Sequence, residues 1–131
     1  MTPEIRAEIV RYRISKAHQL LVEIRKMMEL EMWNSAVNRM YYACFHSASA
    51  LLIKKGIDSH THKGLRQNFN AHIVKNGYIV PEEARVLMRV YDKRQAADYD
   101  DFIDCTREEI EALYPSVELF IRRMQELLDK E

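Results

Sequence analysis

One uninterrupted stretch, Trp33 to Lys55, constrains this chain more than any other. Within it Val37, Tyr41, Cys44, Ala48, Leu51 and Leu52 recur at steps of mostly three and four residues, ending at Gly56. That period is the apolar stripe of a buried α-helix. Arg39, Tyr42, His46, Ser49 and Ile53 form a second row with the same steps, so Arg39 and His46 lie two turns apart on nearly one face. A helix buried along one side and carrying Arg, Tyr and His along the other must put those groups somewhere specific. The functional reading depends on where.

The rest of the chain favours helix as well, with only three glycines and three prolines among 131 residues. This length matches one compact domain, 1–131, with enough chain to bury a core without disulfides or metal. Lys plus Arg equals Asp plus Glu at 20 each, which excludes a strongly basic coat or an acidic tail. Any polyanion contact must therefore come from a local cluster. Cys44 lies on the apolar stripe and Cys105 just before a helix start, a pattern without a disulfide framework that points to a reducing setting. No apolar run is long enough to cross a bilayer, and Met1-Thr2-Pro3-Glu4 is charged, unlike a signal peptide. The expectation is a soluble, cytoplasmic protein with no membrane contact.

In chain order, Thr2-Pro3-Glu4 reads as an N-cap, a first-turn proline and an acid opening a helix to about Leu30. Its expected core positions are Ile5, Ile9, Tyr12, Ala17, Leu20, Leu21, Ile24 and Met27 or Met28. The short junction Glu31–Asn34 predicts antiparallel packing of the first two helices, with Asn34 or Ser35 capping the second and Gly56 ending it. After the polar connector Ile57–Gly64 comes a short third helix with Leu65, Phe69, Ala71, His72, Ile73 and Val74, stopped by Asn76-Gly77. Pro81-Glu82-Glu83 opens a fourth, with Ala84, Leu87, Met88, Tyr91 and Ala97 as core candidates. Thr106-Arg107-Glu108-Glu109 is a capping box opening the last, which carries Ile110, Leu113, Val117, Phe120, Ile121, Met124 and Leu127 or Leu128, and in which Pro115 removes one backbone donor. The fold expected is all-α: an up-and-down four-helix bundle with one extra short helix after the second. The second and fourth helices are expected to run in the same direction.

The polar candidates are Arg39, Tyr42 and His46 on the second helix, His60, His62 and Lys63 in the connector, and Arg94, Asp98 and Tyr99 late in the fourth. A contact between His62-Lys63 and Asp98-Tyr99 is expected. Each has a plainer reading: His46 as a hydrogen-bonded core edge, Arg94 with Asp98 as an intrahelical ion pair, and the tyrosines as core with hydroxyls at the rim. His60-Thr61-His62 has too few companions for a zinc site, so neither metal nor cofactor is expected. Enzyme chemistry compatible with this inventory is metal-free RNA cleavage, with His46 as base and Arg39 or Arg94 holding the phosphate.

Asn38-Arg39-Met40-Tyr41-Tyr42-Ala43-Cys44-Phe45-His46, then Thr61-His62-Lys63-Gly64, then Arg94-Gln95-Ala96-Ala97-Asp98-Tyr99, resemble in that order the small stand-alone HEPN domains of bacteria and archaea. The name stands for higher eukaryotes and prokaryotes nucleotide-binding. The resemblance covers nearly the whole chain from about Glu29. It implies a helical bundle, usually a homodimer, whose cleft binds nucleotides or RNA. Many members work beside a minimal nucleotidyltransferase in toxin-antitoxin systems. Active members are metal-independent ribonucleases whose motif is an arginine and a histidine with four to six residues between them. Here Arg94-Gln95 stands where that motif belongs, but Tyr99, after Asp98, fills the histidine position. Tyrosine is a poor base at neutral pH, its reference pKa being about 10. Arg39 and His46 match the loosest spacing, on the second helix. The reading that follows is a binding module for nucleotides or RNA in which Arg39, Tyr42, His46, His62, Lys63, Arg94, Asp98 and Tyr99 line the surface. The alternatives are a ribonuclease toxin acting through His46 and Arg39, and a structural dimerisation subunit.

Overall fold

The computed structural model describes residues 1–130. Five α-helices account for most of them: α1 Pro3–Glu29, α2 Trp33–Lys54, α3 His62–Phe69, α4 Pro81–Tyr99 and α5 Arg107–Asp129. A π-helical turn, Asn70–Val74, continues α3, so the short third helix ends in a wider turn than its sequence suggests. Among the described residues there is no strand.

Side-chain contacts between helix ends fix the directions. Arg6 near the start of α1 donates to the Ile53 carbonyl at the end of α2 (2.6 Å), so those two are antiparallel as expected. Asn38 near the start of α2 donates to Asp98 at the end of α4 (3.2 Å), so α2 and α4 are antiparallel as well. The expected common direction is therefore wrong. α3 and its π turn are too short to traverse the bundle, so α4, not α3, is the next full-length helix after α2. α5 pairs antiparallel with α4 through Arg123–Glu83 (3.6 Å) and parallel with α2, whose Lys54 donates to the Leu128 carbonyl (2.6 Å). The result is an up-and-down four-helix bundle of α1, α2, α4 and α5, with α3 as the additional helix.

α2 is the axis of the core. Val37, Tyr41, Cys44, Ala48, Leu51 and Leu52 are all buried, as their spacing requires. Ala36, Ala43, Ser47 and Ala50 are fully buried too, and their small side chains let neighbouring helices approach closely. Every core position expected on α5 is also buried. On α1 the start of the stripe is displaced: Val10 and Ile14 are buried, while Ile5 and Tyr12 are exposed. Two adjacent rows there share one period, and periodicity cannot choose between them. The same ambiguity exposes Met88 while Val86 and Val90 are buried on α4, and leaves Ala71 and His72 exposed beside buried Ile73.

The caps follow the sequence with one exception. Thr2 accepts from the Ile5 N–H (3.1 Å), and Gly56 takes the positive φ of 83° that ends α2. Thr106 accepts from the Glu109 N–H (3.2 Å) while Glu109 accepts from the Thr106 N–H (3.0 Å), completing the capping box of α5. Neither Asn34 nor Ser35 caps α2, which starts at Trp33 with no side-chain cap. Asn34 instead reaches across to the α4–α5 loop, accepting from the Cys105 N–H (2.8 Å) and donating to Asp104 (2.9 Å). Removing the α5 cap with Thr106→Ala is expected to cost about 1 kcal/mol, read as a lower urea midpoint at unchanged m-value.

Candidate functional site

The first half of α2, the end of α4 and the start of α3 meet in a cluster of polar and aromatic side chains, and Arg94 is its centre. The Arg94 guanidinium sits against three aromatic rings, 5.1 Å from the Tyr41 centroid, 5.2 Å from Tyr42 and 6.0 Å from Tyr99, within cation–π range. Arg94 donates to the Tyr42 hydroxyl (3.3 Å), and its Nε lies 3.4 Å from Asp98 one turn on. That approach is an ion-pair contact without hydrogen-bond alignment, because the buried Nε–H has no acceptor. Asp98 also takes the hydrogen bond from Asn38, whose Oδ1 accepts from Arg39 (3.1 Å). Arg39 is thus linked to the Arg94–Asp98 pair through Asn38.

α3 supplies the other side. His62 Nδ1 is 2.7 Å from the Tyr41 hydroxyl, and its ring stacks on Tyr41 and packs 4.6 Å from the Phe45 centroid. Burial, and then the nearby Arg94 and Arg66, push the His62 pKa down. Arg66, one turn after His62, lies 3.8 Å over the Tyr91 ring with its buried Nη1 unpaired. Arg66 and Arg94 both oppose the rise that burial gives the Tyr41 pKa, as two cations facing one hydroxyl must. Sequence reasoning missed Arg66, which belongs to no motif. Its only signal is the four-residue step from His62, which puts both on one helical face.

The remaining candidates divide. Tyr99 stands at the rim, 67 % exposed. Lys63 is exposed, and neither it nor His62 makes a described contact with Asp98 or Tyr99, so the expected contact does not form: His62 packs on Tyr41, Tyr42 and Phe45 of α2 instead. His46 lies away from Arg94, on the α1 side of Tyr42, their ring centroids 6.4 Å apart. Arg39 and His46 are not brought together: Arg39 turns to Asn38, and the cations beside His46 are Arg13 and Lys16 of α1. Among the described residues no cluster of His, Cys, Asp and Glu is arranged to hold a metal ion, and no helix is long and apolar enough to cross a membrane.

A family model described as "HEPN domain" matches residues 10–127. The chain belongs to the HEPN domain family. It is 34% identical over 128 residues to "Putative toxin MJ0605" of Methanocaldococcus jannaschii, covering 98% of this chain and 94% of that protein. A UPF0332 protein of Thermotoga maritima is 30% identical over 122 residues, covering 93% of this chain and 92% of that protein. A second protein from M. jannaschii, "Putative toxin MJ0142", is 30% identical over 115 residues, covering 88% of this chain and 78% of its own.

Three buried side-chain atoms of this HEPN chain lack hydrogen-bond partners among the described residues: Arg94 Nε, Arg66 Nη1 and His46 Nδ1. Folded proteins satisfy nearly all such groups. An oxyanion approaching the Arg94 cluster would supply the acceptors that Arg94 Nε and Arg66 Nη1 lack.

His46 carries a separate consequence. Burial, with Arg13 and Lys16 beside it, lowers its pKa from 6.5 to about 4. The unfolded chain therefore binds this proton at a pH where the folded chain does not, so stability falls as pH drops from about 6.5 to about 4. The loss is on the order of 2 kcal/mol after discounting for partial solvent access. His46→Gln is expected to remove that part of the slope. Denaturant titrations of both proteins across this range check it, and identical slopes would refute it.

Proposed function

We propose that this HEPN chain binds the phosphate of a nucleotide or RNA at the Arg94 cluster formed by α2, α3 and α4. Arg66 and Arg94 hold the anion, Tyr42 and Tyr99 offer a hydroxyl and an open ring face for bases, and Asp98 with Asn38 orients Arg94. His62 donates or accepts on the α3 side of the cluster, and Lys63 and Arg39 add charge at its rim. His46 serves this surface from behind Tyr42. The observation that carries this reading is the pair of unpaired guanidinium N–H groups, Arg94 Nε and Arg66 Nη1, buried against aromatic rings. The names of the M. jannaschii relatives favour a toxin role, and the family resemblance favours a homodimer with a nucleotidyltransferase-like partner in a cytoplasmic toxin-antitoxin system.

A panel of nucleotides and short RNAs is expected to raise the melting temperature of the wild type, since a ligand at a hundred times its Kd adds about 2.7 kcal/mol. Arg94→Ala is expected to abolish that shift. A variant that melts lower yet has no ligand-dependent shift to lose, because the wild type shows none, would instead support the purely structural dimerisation role.

The second reading is metal-independent RNA cleavage, and the His62 geometry favours it. Its lowered pKa keeps the imidazole neutral at pH 7, next to a hydroxyl and two arginines. As base it would take the 2′-hydroxyl proton while the oxygen attacks phosphorus and the 5′-oxygen leaves. Cleavage that persists in chelator, survives His46→Ala and disappears in His62→Ala would establish it.

A further inference from the structure

Three half-buried cations elsewhere in this bundle meet acids: Lys93 pairs with Glu109, Arg94 with Asp98, and Arg123 with Glu83. Those along the α1 side of α2 do not. Arg6 donates to the Ile53 carbonyl, and Arg13 donates to the Ser49 hydroxyl (3.1 Å). Lys16 stands beside His46, whose buried Nδ1 has no partner. Arg6, Arg13 and Lys16 form no ion pair among the described residues, although the chain has as many acids as cations. Their α2 neighbours His46, Ser49 and Ile53 continue the row that begins at Arg39 and Tyr42. From Arg39 to Ile53 that row spans about 21 Å at 1.5 Å per residue. Tyr42 joins its two parts, bonding Arg94 on one side and lying near His46 on the other.

From this we infer that Arg13 and Lys16 form a second phosphate-contacting subsite, and that the ligand is single-stranded RNA several nucleotides long, not a mononucleotide. A mononucleotide reaches the Arg94 cluster alone, whereas cations following a row this long, from Arg94 to Arg13 and Arg6, match an extended polyanion. Single-stranded RNA fits better than duplex because two exposed rings offer stacking faces: Tyr12, next to Arg13 in sequence, and Tyr99, against the Arg94 guanidinium. The inference rests on the binding role proposed above.

The test compares AMP with a ten-nucleotide single-stranded RNA on wild type, Arg94→Ala and the double variant Arg13→Gln/Lys16→Gln. Glutamine keeps a donor for Ser49, and matching melting temperatures establish that the double variant is folded. The double variant is expected to bind AMP like wild type and RNA at least tenfold more weakly. Its log K–log salt slope should fall by about 1.4, at about 0.7 per single-strand phosphate contact. Arg94→Ala is expected to lose both ligands. An unchanged RNA slope in the double variant, or an equal loss of AMP, overturns the second subsite while leaving the Arg94 cluster standing. A wild type that binds neither probe overturns both. Displacement of RNA by equimolar polyglutamate shows an acidic protein to be the occupant and overturns the RNA assignment.

Discussion

Phe120→Ala is expected to lower the unfolding free energy by about 3–5 kcal/mol, the range for removing a fully packed aromatic side chain. Phe120 is 2% exposed on α5, and its ring lies 5.8 Å from Phe69 at the end of α3. Phe69 is equally buried and is one of two buried residues anchoring α3, the other being Leu65. α3 carries both His62 and Arg66, so the cavity left by Phe120 loosens one side of the Arg94 cluster as well as the core. Urea unfolding should show a lower midpoint, and hydrogen exchange should show α3 amides losing protection first. A cost below 1 kcal/mol, or loss of protection spread evenly over the bundle, would mean that α3 is held by something other than this aromatic pair.

Reversing the charge of both arginines, with Arg66→Glu and Arg94→Glu, is expected to weaken RNA binding by a hundredfold or more. Removing one member of a well-desolvated charge contact costs about 2–5 kcal/mol, and here two cations are replaced by anions that repel phosphate. Arg94→Glu also sets a carboxylate beside Asp98, so melting temperatures are measured alongside to separate lost binding from lost folding. Arg94 has one acidic partner, Asp98, whose side chain is partly exposed, and Arg66 has none. Lys63→Glu, at an exposed position, should alter the association rate and salt dependence more than the dissociation rate. Binding retained within threefold by the double reversal would place the anion elsewhere.

Most of the fold was legible because helical periodicity, caps and punctuating residues act locally. Thr2, Gly56, Pro81 and the Thr106–Glu109 box each mark a boundary that forms as expected. What failed depended on facts that lie outside any single helix. Ile5 and Tyr12 follow the same period as Val10 and Ile14, and only the position of α2 decides which row is buried. The direction of α4 depends on whether α3 crosses the bundle, which its composition does not reveal.

The site was legible in part for the same reason. Arg94, Asp98, Tyr42 and His62 converge, yet Arg39 and His46, paired on spacing alone, turn to opposite edges of α2. Arg66 and the α1 cations stood among many surface charges, and what distinguishes them is the absence of a carboxylate, which only the packed bundle defines. Tyr41 looked like core and is core. Its hydroxyl nevertheless reaches His62.

The most direct test of phosphate recognition by Arg66 and Arg94 is fluorescence anisotropy of a labelled single-stranded RNA, titrated with wild type and with Arg66→Ala/Arg94→Ala at low and raised salt. Wild type should bind at low salt, weaken steadily as salt is added, and lose nearly all affinity in the double variant while its melting profile stays cooperative. Absence of binding by wild type at low salt, or equal binding by the alanine variant, would contradict it.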